Sequence, residues 1–342
     1  NQKTSYVADF SGQWWAGRGT RIALLCGGGM YERPVLGQWS GGAIQACDET
    51  SCDRIEETLE HAGFTVIKID IEQLGTDSAI GASVRETLSS CRAVVIPGGH
   101  DIPQAAALGE LGKAALACIL ERGGGLVGIC AGAWLLGHGT SLEHNYRWLP
   151  VACDPKFGDN GLVGMASLTA SSEGAALLGD GLTGEVMFDE SPSMSIIDPA
   201  PALSLEPTTA QRTIERITVD ATYASPGVKA ASFAGCAALE RMGEAAEMLV
   251  GTAAVVRGVV RSGRKTGGSE LKAGDAGGTE FKVEDAGGSE LKAGRIDGKG
   301  GREPTPGKAG RVVLIGPHFE MTRGGGEILA RAVAWGAGAQ PP

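Results

Sequence analysis

Apolar and polar positions along the first part of the chain follow two periods in turn. Arg21–Cys26 (RIALLC) is a short apolar run ending in Gly27-Gly28-Gly29, the pattern of a buried parallel strand feeding a glycine turn. Asp53–Ala62 (DRIEETLEHA) is amphipathic and stops at Gly63, which predicts a helix. Phe64–Ile69 and Ala93–Ile96 read as the next strands, the second running into Pro97-Gly98-Gly99. Pro103–Arg122 carries Ala107, Leu108, Leu111, Ala115 and Ile119 at helical spacing and stops at a triple glycine. Leu126–Ile129 is a strand, Cys130 follows, and Ala131–Leu136 is a predicted helix. Strands alternating with helices predict a mostly parallel sheet covered by helices.

After Pro150 the pattern changes. Leu162–Thr169, Glu185–Phe188, Met194–Ile197, Ala230–Phe233 and Thr252–Val260 read as strands joined by turns, suited to antiparallel edges. The α/β pattern returns with a strand at Arg311–Ile315 and a final helix at Gly326–Trp335. Between them, residues 262–310 are of low complexity and contain three decamers: GGSELKAGDA (267–276), GGTEFKVEDA (277–286) and GGSELKAGRI (287–296). One or two apolar residues per decamer are too few to cover a core, so a flexible insert within a single domain of residues 1–342 is expected. Its flanks, Ala253–Val260 and Arg311–Ile315, read as two halves of one hairpin with a lengthened turn. Loop closure costs grow only slowly with length, so the fold tolerates this.

Composition narrows the classes. Hydrophobic residues make up 42% of the 342, enough for a sizeable core, and 55 are glycine. That glycine content is roughly twice the usual ~7% without any Gly-X-Y period, which excludes collagen and points to tight turns and the insert. The net charge of −10 argues against non-specific binding to nucleic acid or anionic membranes. No apolar run approaches the ~18 residues of a membrane span. Eight scattered cysteines without a CxxC pair fit neither a disulfide scaffold nor a zinc site, so a reducing, cytoplasmic setting is expected. The chain begins at Asn1 rather than Met, consistent with a trimmed or mature form.

Three short motifs carry chemistry. Gly128-Ile129-Cys130-Ala131-Gly132-Ala133 is a strand, one cysteine and then a helix, the arrangement of a nucleophile elbow. The helix dipole just beyond Cys130 favours a thiolate, and the Ala131 N–H can serve an oxyanion. Gly316-Pro317-His318-Phe319-Glu320 follows a strand; in extended chain His318 and Glu320 share a face, so the carboxylate can orient the imidazole. Adjacent glycines in Pro97-Gly98-Gly99 can aim a second backbone N–H into the crevice. All three fall at predicted carboxyl ends of strands, where open α/β sheets build their sites. Alone, Cys130 reads equally as a buried inert thiol, and His318–Glu320 as a loop pair.

Other candidates carry less. His100-Asp101 can rim the site, and His138 and His144 lack an acid two residues on. His61 suits a helix end, and Cys47 and Cys52 lack a second ligand pair for a metal. Gly27-Gly28-Gly29 matches no nucleotide fingerprint. Trp14 and Trp15 read as packing residues. Nothing obvious activates the seven cysteines other than Cys130.

Taken together, PGG (97–99), GICAGA (128–133) and GPHFE (316–320) resemble the class I glutamine amidotransferase-like superfamily, and within it the biotin-protein ligase N-terminal-domain family. The resemblance covers roughly 21–147, 253–260 and 311–335. It implies a flavodoxin-like three-layer α/β sandwich with a mostly parallel sheet and antiparallel edge strands. It also implies Cys130 as nucleophile, His318 as general base, Glu320 as its orienter, and Gly99 and Ala131 as oxyanion donors. Gly98, His100 and Trp134 would touch substrate. One departure stands out: amidotransferases usually carry glutamine four residues after the cysteine, and here that position is Trp134.

The expectation is a cysteine-dependent hydrolase or amidotransferase-like enzyme acting on a small or peptide-like amide, with no metal, organic cofactor, nucleic acid or membrane. Two rivals stay open: a non-catalytic ligand-binding or regulatory domain, and a redox-sensing thiol.

Overall fold

The computed structural model describes residues 19–27, 38–40, 43–45, 51–138, 146–154, 163–179, 185–189, 191–197, 212–225, 249–262, 308–322 and 324–339. The chain opens with β1 (Arg21–Cys26), a small hairpin of β2 (Gln38–Ser40) and β3 (Ala43–Gln45), helix α1 (Ser51–His61) and β4 (Thr65–Asp70). Next come α2 (Ile71–Gly75), α3 (Ala79–Ser89), β5 (Ala93–Ile96), α4 (Asp101–Glu121), β6 (Gly125–Ile129) and α5 (Ala131–Leu136). A strand-rich stretch then holds β7 (Val151–Asp154), β8 (Val163–Ala170), α6 (Ser172–Leu178), β9 (Glu185–Asp189), β10 (Ser193–Ile196) and β11 (Arg212–Ser225). Last come β12 (Ala253–Ser262), β13 (Gly310–Ile315) and α7 (Gly325–Gly336).

Among the described residues one sheet of 11 strands dominates, in the order β4-β1-β5-β6-β13-β12-β11-β8-β9, with β10 joining β12 to β7. Its first five strands are parallel. Their order is that of a doubly wound flavodoxin-like sheet, with the reversal of strand order between β1 and β5. Helices α1, α6 and α7 pack together against one face, and α2 through α5 form the second group. β5 and β6 are buried at every position, as two-sided cover requires. The mixed α/β architecture anticipated from the sequence is therefore present.

Beyond β13 the sheet turns antiparallel. β12 pairs with β13 from Val255↔Ile315 to Val260↔Gly310, so the flanks of the decamer region are the two arms of one hairpin, as expected. The decamers themselves lie outside the described residues, as do Ala230–Phe233, Trp14, Trp15, Cys47 and His144. The 14-residue β11 has no counterpart in the sequence reading; its pairing with β12 shifts register three times, which breaks the period-two signal. The helix expected over Pro103–Arg122 is interrupted, because Gly109 adopts φ +52°, ψ −165° inside α4. Only glycine takes that conformation without strain, so helical spacing on either side conceals the break.

A buried ion pair ties the antiparallel extension together. Arg257 on β12 holds the fully buried Asp220 on β11 with Nη2–Oδ1 at 2.7 Å and a second, Nε–Oδ2 contact. The guanidinium also lies 5.0 Å above the ring of Trp335 on α7. Among the described residues, no helix is long and apolar enough to cross a membrane.

Candidate active site

Three neighbouring parallel strands deliver the three motifs to one edge. Ile96 pairs with Gly128, and Ile129 with Ile315, so β5, β6 and β13 end side by side. Pro97-Gly98-Gly99 leaves β5, Cys130 leaves β6, and Gly316–Glu320 leaves β13. The Cys130 N–H donates to Ile315 O at 2.8 Å, carrying the ladder one residue past the strand.

Cys130 has φ +50° and ψ −109°, outside the regions open to L-residues at low energy. Such a backbone costs on the order of 1–3 kcal/mol and persists where its surroundings dictate it. Here they do. A Cβ on Gly132 would stand 2.2 Å from Ile96 O, and one on Gly128 would stand 2.3 Å from Gly132 O. Only glycines let α5 begin this close to β5 and β6. The Cys130 carbonyl then accepts from Ala133 N and Trp134 N at 2.9 and 3.1 Å. Ala131 is the first helical residue, where α-helix geometry offers its N–H no intrahelical acceptor. Gly99 sits at the mouth of β5 with φ +142°.

His318 and Glu320 meet as the spacing anticipates. Nδ1 of His318 and Oε1 of Glu320 are 2.7 Å apart, and the carboxylate side chain is fully buried. They do so on a tight turn rather than an extended strand, because Phe319–Met321 forms a 3-10 turn. Strand β9 anchors that turn: His318 N donates to Met187 O at 2.8 Å, and Met187 N donates to Thr322 Oγ1 at 2.9 Å. Thr322 Oγ1 in turn donates to His318 O at 2.7 Å.

Cys130 and His318 are each about 3% exposed. Burial, the largest influence on the imidazole, pushes its pKa down. The charges of Glu320 and Cys130, with hydrogen bonds to both, outweigh burial and hold it well above the ordinary value. The imidazole thus meets a carboxylate at Nδ1 and feels the Cys130 sulfur electrostatically. Among the described residues, no group of three or more His, Cys, Asp or Glu side chains is arranged to hold a metal.

Several contributors carry no signal in the local sequence. Ser51, the first residue of α1, is fully buried and donates to Glu320 Oε1 at 2.8 Å. Gln104 on α4, also fully buried, donates through Nε2 to the carbonyls of Pro97 and Gly98 at 3.3 and 3.4 Å. The hydroxyl of Tyr223 from β11 packs where a Cβ on Gly316 would stand, 2.7 Å away. Burial first, then the nearby sulfurs of Cys130 and Cys153, hold that phenol well above its usual range. An unusual buried polar residue at a helix start could have flagged Ser51, but serine there is ordinarily read as a cap.

Of the weaker candidates, Trp134 is buried on α5, and His100 is the residue before α4. His61 falls in the last turn of α1, as expected for a helix-end histidine. His138 sits beyond α5 in a backbone bridge to Ala152 rather than beside Cys130. The expectation that nothing activates the other seven thiols needs correction: Cys26 is lowered from the ordinary thiol value, chiefly by Cys52, against burial and with help from Lys68.

Among solved structures this chain is similar to a glutamine amidotransferase, at 17% identity over 59% of this chain and 79% of that one, with a TM-score of 0.36. A glutamine amidotransferase from Thermotoga maritima matches at 14% identity over 60% and 67%, with a TM-score of 0.36. The glutaminase domain of Trypanosoma brucei CTPS with bound acivicin matches at 14% identity over 60% and 75%, with a TM-score of 0.31. No curated protein matches. Residues 45–151, a span that holds Ser51, Gly99, Cys130 and Trp134 but neither His318 nor Glu320, match the family described as biotin-protein ligase, N terminal.

Proposed function

We propose that this protein is a cysteine-nucleophile hydrolase or amidotransferase-like enzyme that cleaves an amide C–N bond through Cys130, His318 and Glu320. The observation that supports the reading is the buried His318 imidazole, 2.7 Å from Glu320 Oε1 and held basic by the charges of Glu320 and Cys130. In this reading a cationic His318 activates the Cys130 sulfur for attack.

The reading implies the following steps. The Cys130 thiolate adds to the amide carbonyl, and the charge that develops on oxygen is met by the N–H groups of Ala131 and Gly99. The imidazolium of His318 gives its proton to the departing amine, the C–N bond breaks, and a thioester remains on Cys130. His318, now neutral, takes a proton from water as it adds to the thioester. The C–S bond breaks, the acid leaves, Cys130 departs as thiolate, and the proton taken from water stays on His318. Glu320 holds the ring in one orientation and stabilises its charged form. Trp134 stands where amidotransferases usually have a glutamine, so the amide need not be that of free glutamine.

A non-catalytic binding or regulatory domain is the second reading. It is favoured by the burial of both Cys130 and His318 and by the family match over 45–151. One experiment separates the two: iodoacetamide alkylation at pH 6.5, followed peptide by peptide. The enzyme reading expects rapid modification of Cys130 that His318→Ala slows sharply and Glu320→Ala slows less, with the Cys26 rate as internal reference. If Cys130 reacts no faster than the exposed Cys118, and His318→Ala changes nothing, the binding reading holds.

A further inference from the structure

Cys26 and Cys52 are two neighbouring thiols on the same edge of the sheet as the site above. Cys26 is the last residue of β1, at the point where the strand order reverses, and it is partly exposed. Cys52 is the second residue of α1 and is buried. The Cys52 sulfur lies 3.8 Å from Leu25 O, the carbonyl of the peptide unit that leads into Cys26. Each thiol is the largest influence on the other's ionisation, Cys52 lowering Cys26 and Cys26 raising Cys52. Lys68, on the adjacent strand β4, is held beside them by Asp53 at 3.0 Å and by Glu56.

We infer that Cys26 and Cys52 are a reversible dithiol–disulfide site that closes by exchange with a low-molecular-weight disulfide of the glutathione class. The roles differ between the two sulfurs. Cys26 is the more exposed thiol and the one whose charged form is favoured by Cys52 and by Lys68. Its thiolate attacks one sulfur of glutathione disulfide, forming a mixed disulfide and releasing one glutathione thiolate. Cys52 then loses its proton to solvent and attacks the Cys26 sulfur. The Cys26–Cys52 bond forms, and the second glutathione thiolate leaves. Two protein thiols are oxidised, one disulfide is reduced to two thiols, and no other oxidant is needed.

A bond here would join the end of β1 to the first turn of α1. Ser51, next in the chain to Cys52, is the residue that donates to Glu320 Oε1. The crosslink therefore fixes the helix end on which the carboxylate's second donor sits.

The test uses the full chain and glutathione disulfide as the probe. The protein is incubated with a glutathione disulfide series, quenched by alkylation, digested and mapped. The expected result is a linked Cys26–Cys52 peptide pair lacking two hydrogens, appearing before any mixed disulfide on the exposed Cys118 and reversed by dithiothreitol. Cys52→Ser should abolish the linked pair and leave Cys26 carrying glutathione. The proposal is overturned if Cys118 becomes glutathionylated while Cys26 and Cys52 remain alkylatable. It is equally overturned if wild-type Cys26 stops at the mixed disulfide. Neither outcome bears on Cys130, whose role is read from its His318-dependent alkylation.

Discussion

Ser51 Oγ and Glu320 Oε1 are 2.8 Å apart although 269 residues separate them in the chain. The same carboxylate oxygen meets Nδ1 of His318 at 2.7 Å. Glu320 is therefore held from two sides: by the turn that carries the histidine and by the first residue of α1. A carboxylate with two donors is fixed in orientation, and it fixes the ring in turn.

Removing the Ser51 hydroxyl should loosen that orientation without touching the reactive atoms. Ser51→Ala is expected to destabilise the fold by about 1–3 kcal/mol, the range for a buried partner left short of a hydrogen bond. It should also slow Cys130 alkylation at pH 6.5, by less than His318→Ala does. Urea titration and peptide-resolved alkylation of the two variants provide the check. A Ser51→Ala protein with unchanged stability and unchanged Cys130 rate would refute the shared-oxygen account.

The turn at Cys130 depends on two glycines for steric reasons. Gly132→Ala would bring a methyl to 2.2 Å from Ile96 O, a backbone atom that cannot swing aside. The expected loss is roughly 2–4 kcal/mol, in the range of overpacked cores, together with loss of Cys130's His318-dependent reactivity. Guanidinium melts with parallel alkylation of Gly132→Ala and Gly128→Ala measure both effects.

Asp220 and Arg257 make a pair that resists single substitutions more than double ones. Burial, the largest influence, raises the Asp220 carboxyl, and Arg257 opposes it. Asp220→Ala should leave the guanidinium without its main partner and cost about 3–5 kcal/mol. Asp220→Leu combined with Arg257→Met should recover a good part of that loss. Denaturant midpoints of the single and double variants decide it; a double variant as unstable as the sum of its singles would contradict this account.

Two histidines give opposite pH dependences. His138 is pushed down from 6.5 to about 4, first by burial and then by Arg147. The unfolded chain therefore takes up this proton near pH 6.5, whereas the folded protein does so only near pH 4. Stability is full above 6.5 and falls as pH drops through that window. About half the ring is solvated, so the loss should be on the order of 1 kcal/mol rather than the full linkage value. His318 is raised, so its contribution is present below the unfolded value and fades as pH rises through the folded one. His138→Gln should flatten the stability curve between pH 6.5 and 4. A curve unchanged by that substitution would assign the acid limb to other groups.

The local pattern of residues determined much of this protein. The runs RIALLC, AVVI and RVVLI are strands because a segment covered on both faces must be apolar throughout. The helix Ala131–Leu136 and the hairpin arms around the decamers were legible in the same way. So were the three motifs at strand ends, because glycine spacing and the His-x-Glu step are properties of a few adjacent residues. Tertiary structure alone decided the rest. It placed Ser51 on Glu320, Gln104 under the Pro97-Gly98 turn, and the Tyr223 hydroxyl beneath Gly316. It also brought the Cys52 sulfur to the carbonyl of Leu25, next to Cys26. Each of these depends on the strand order β4-β1-β5-β6-β13 and on which helix covers which face. Periodicity reports which side of an element is buried, but not which distant element buries it.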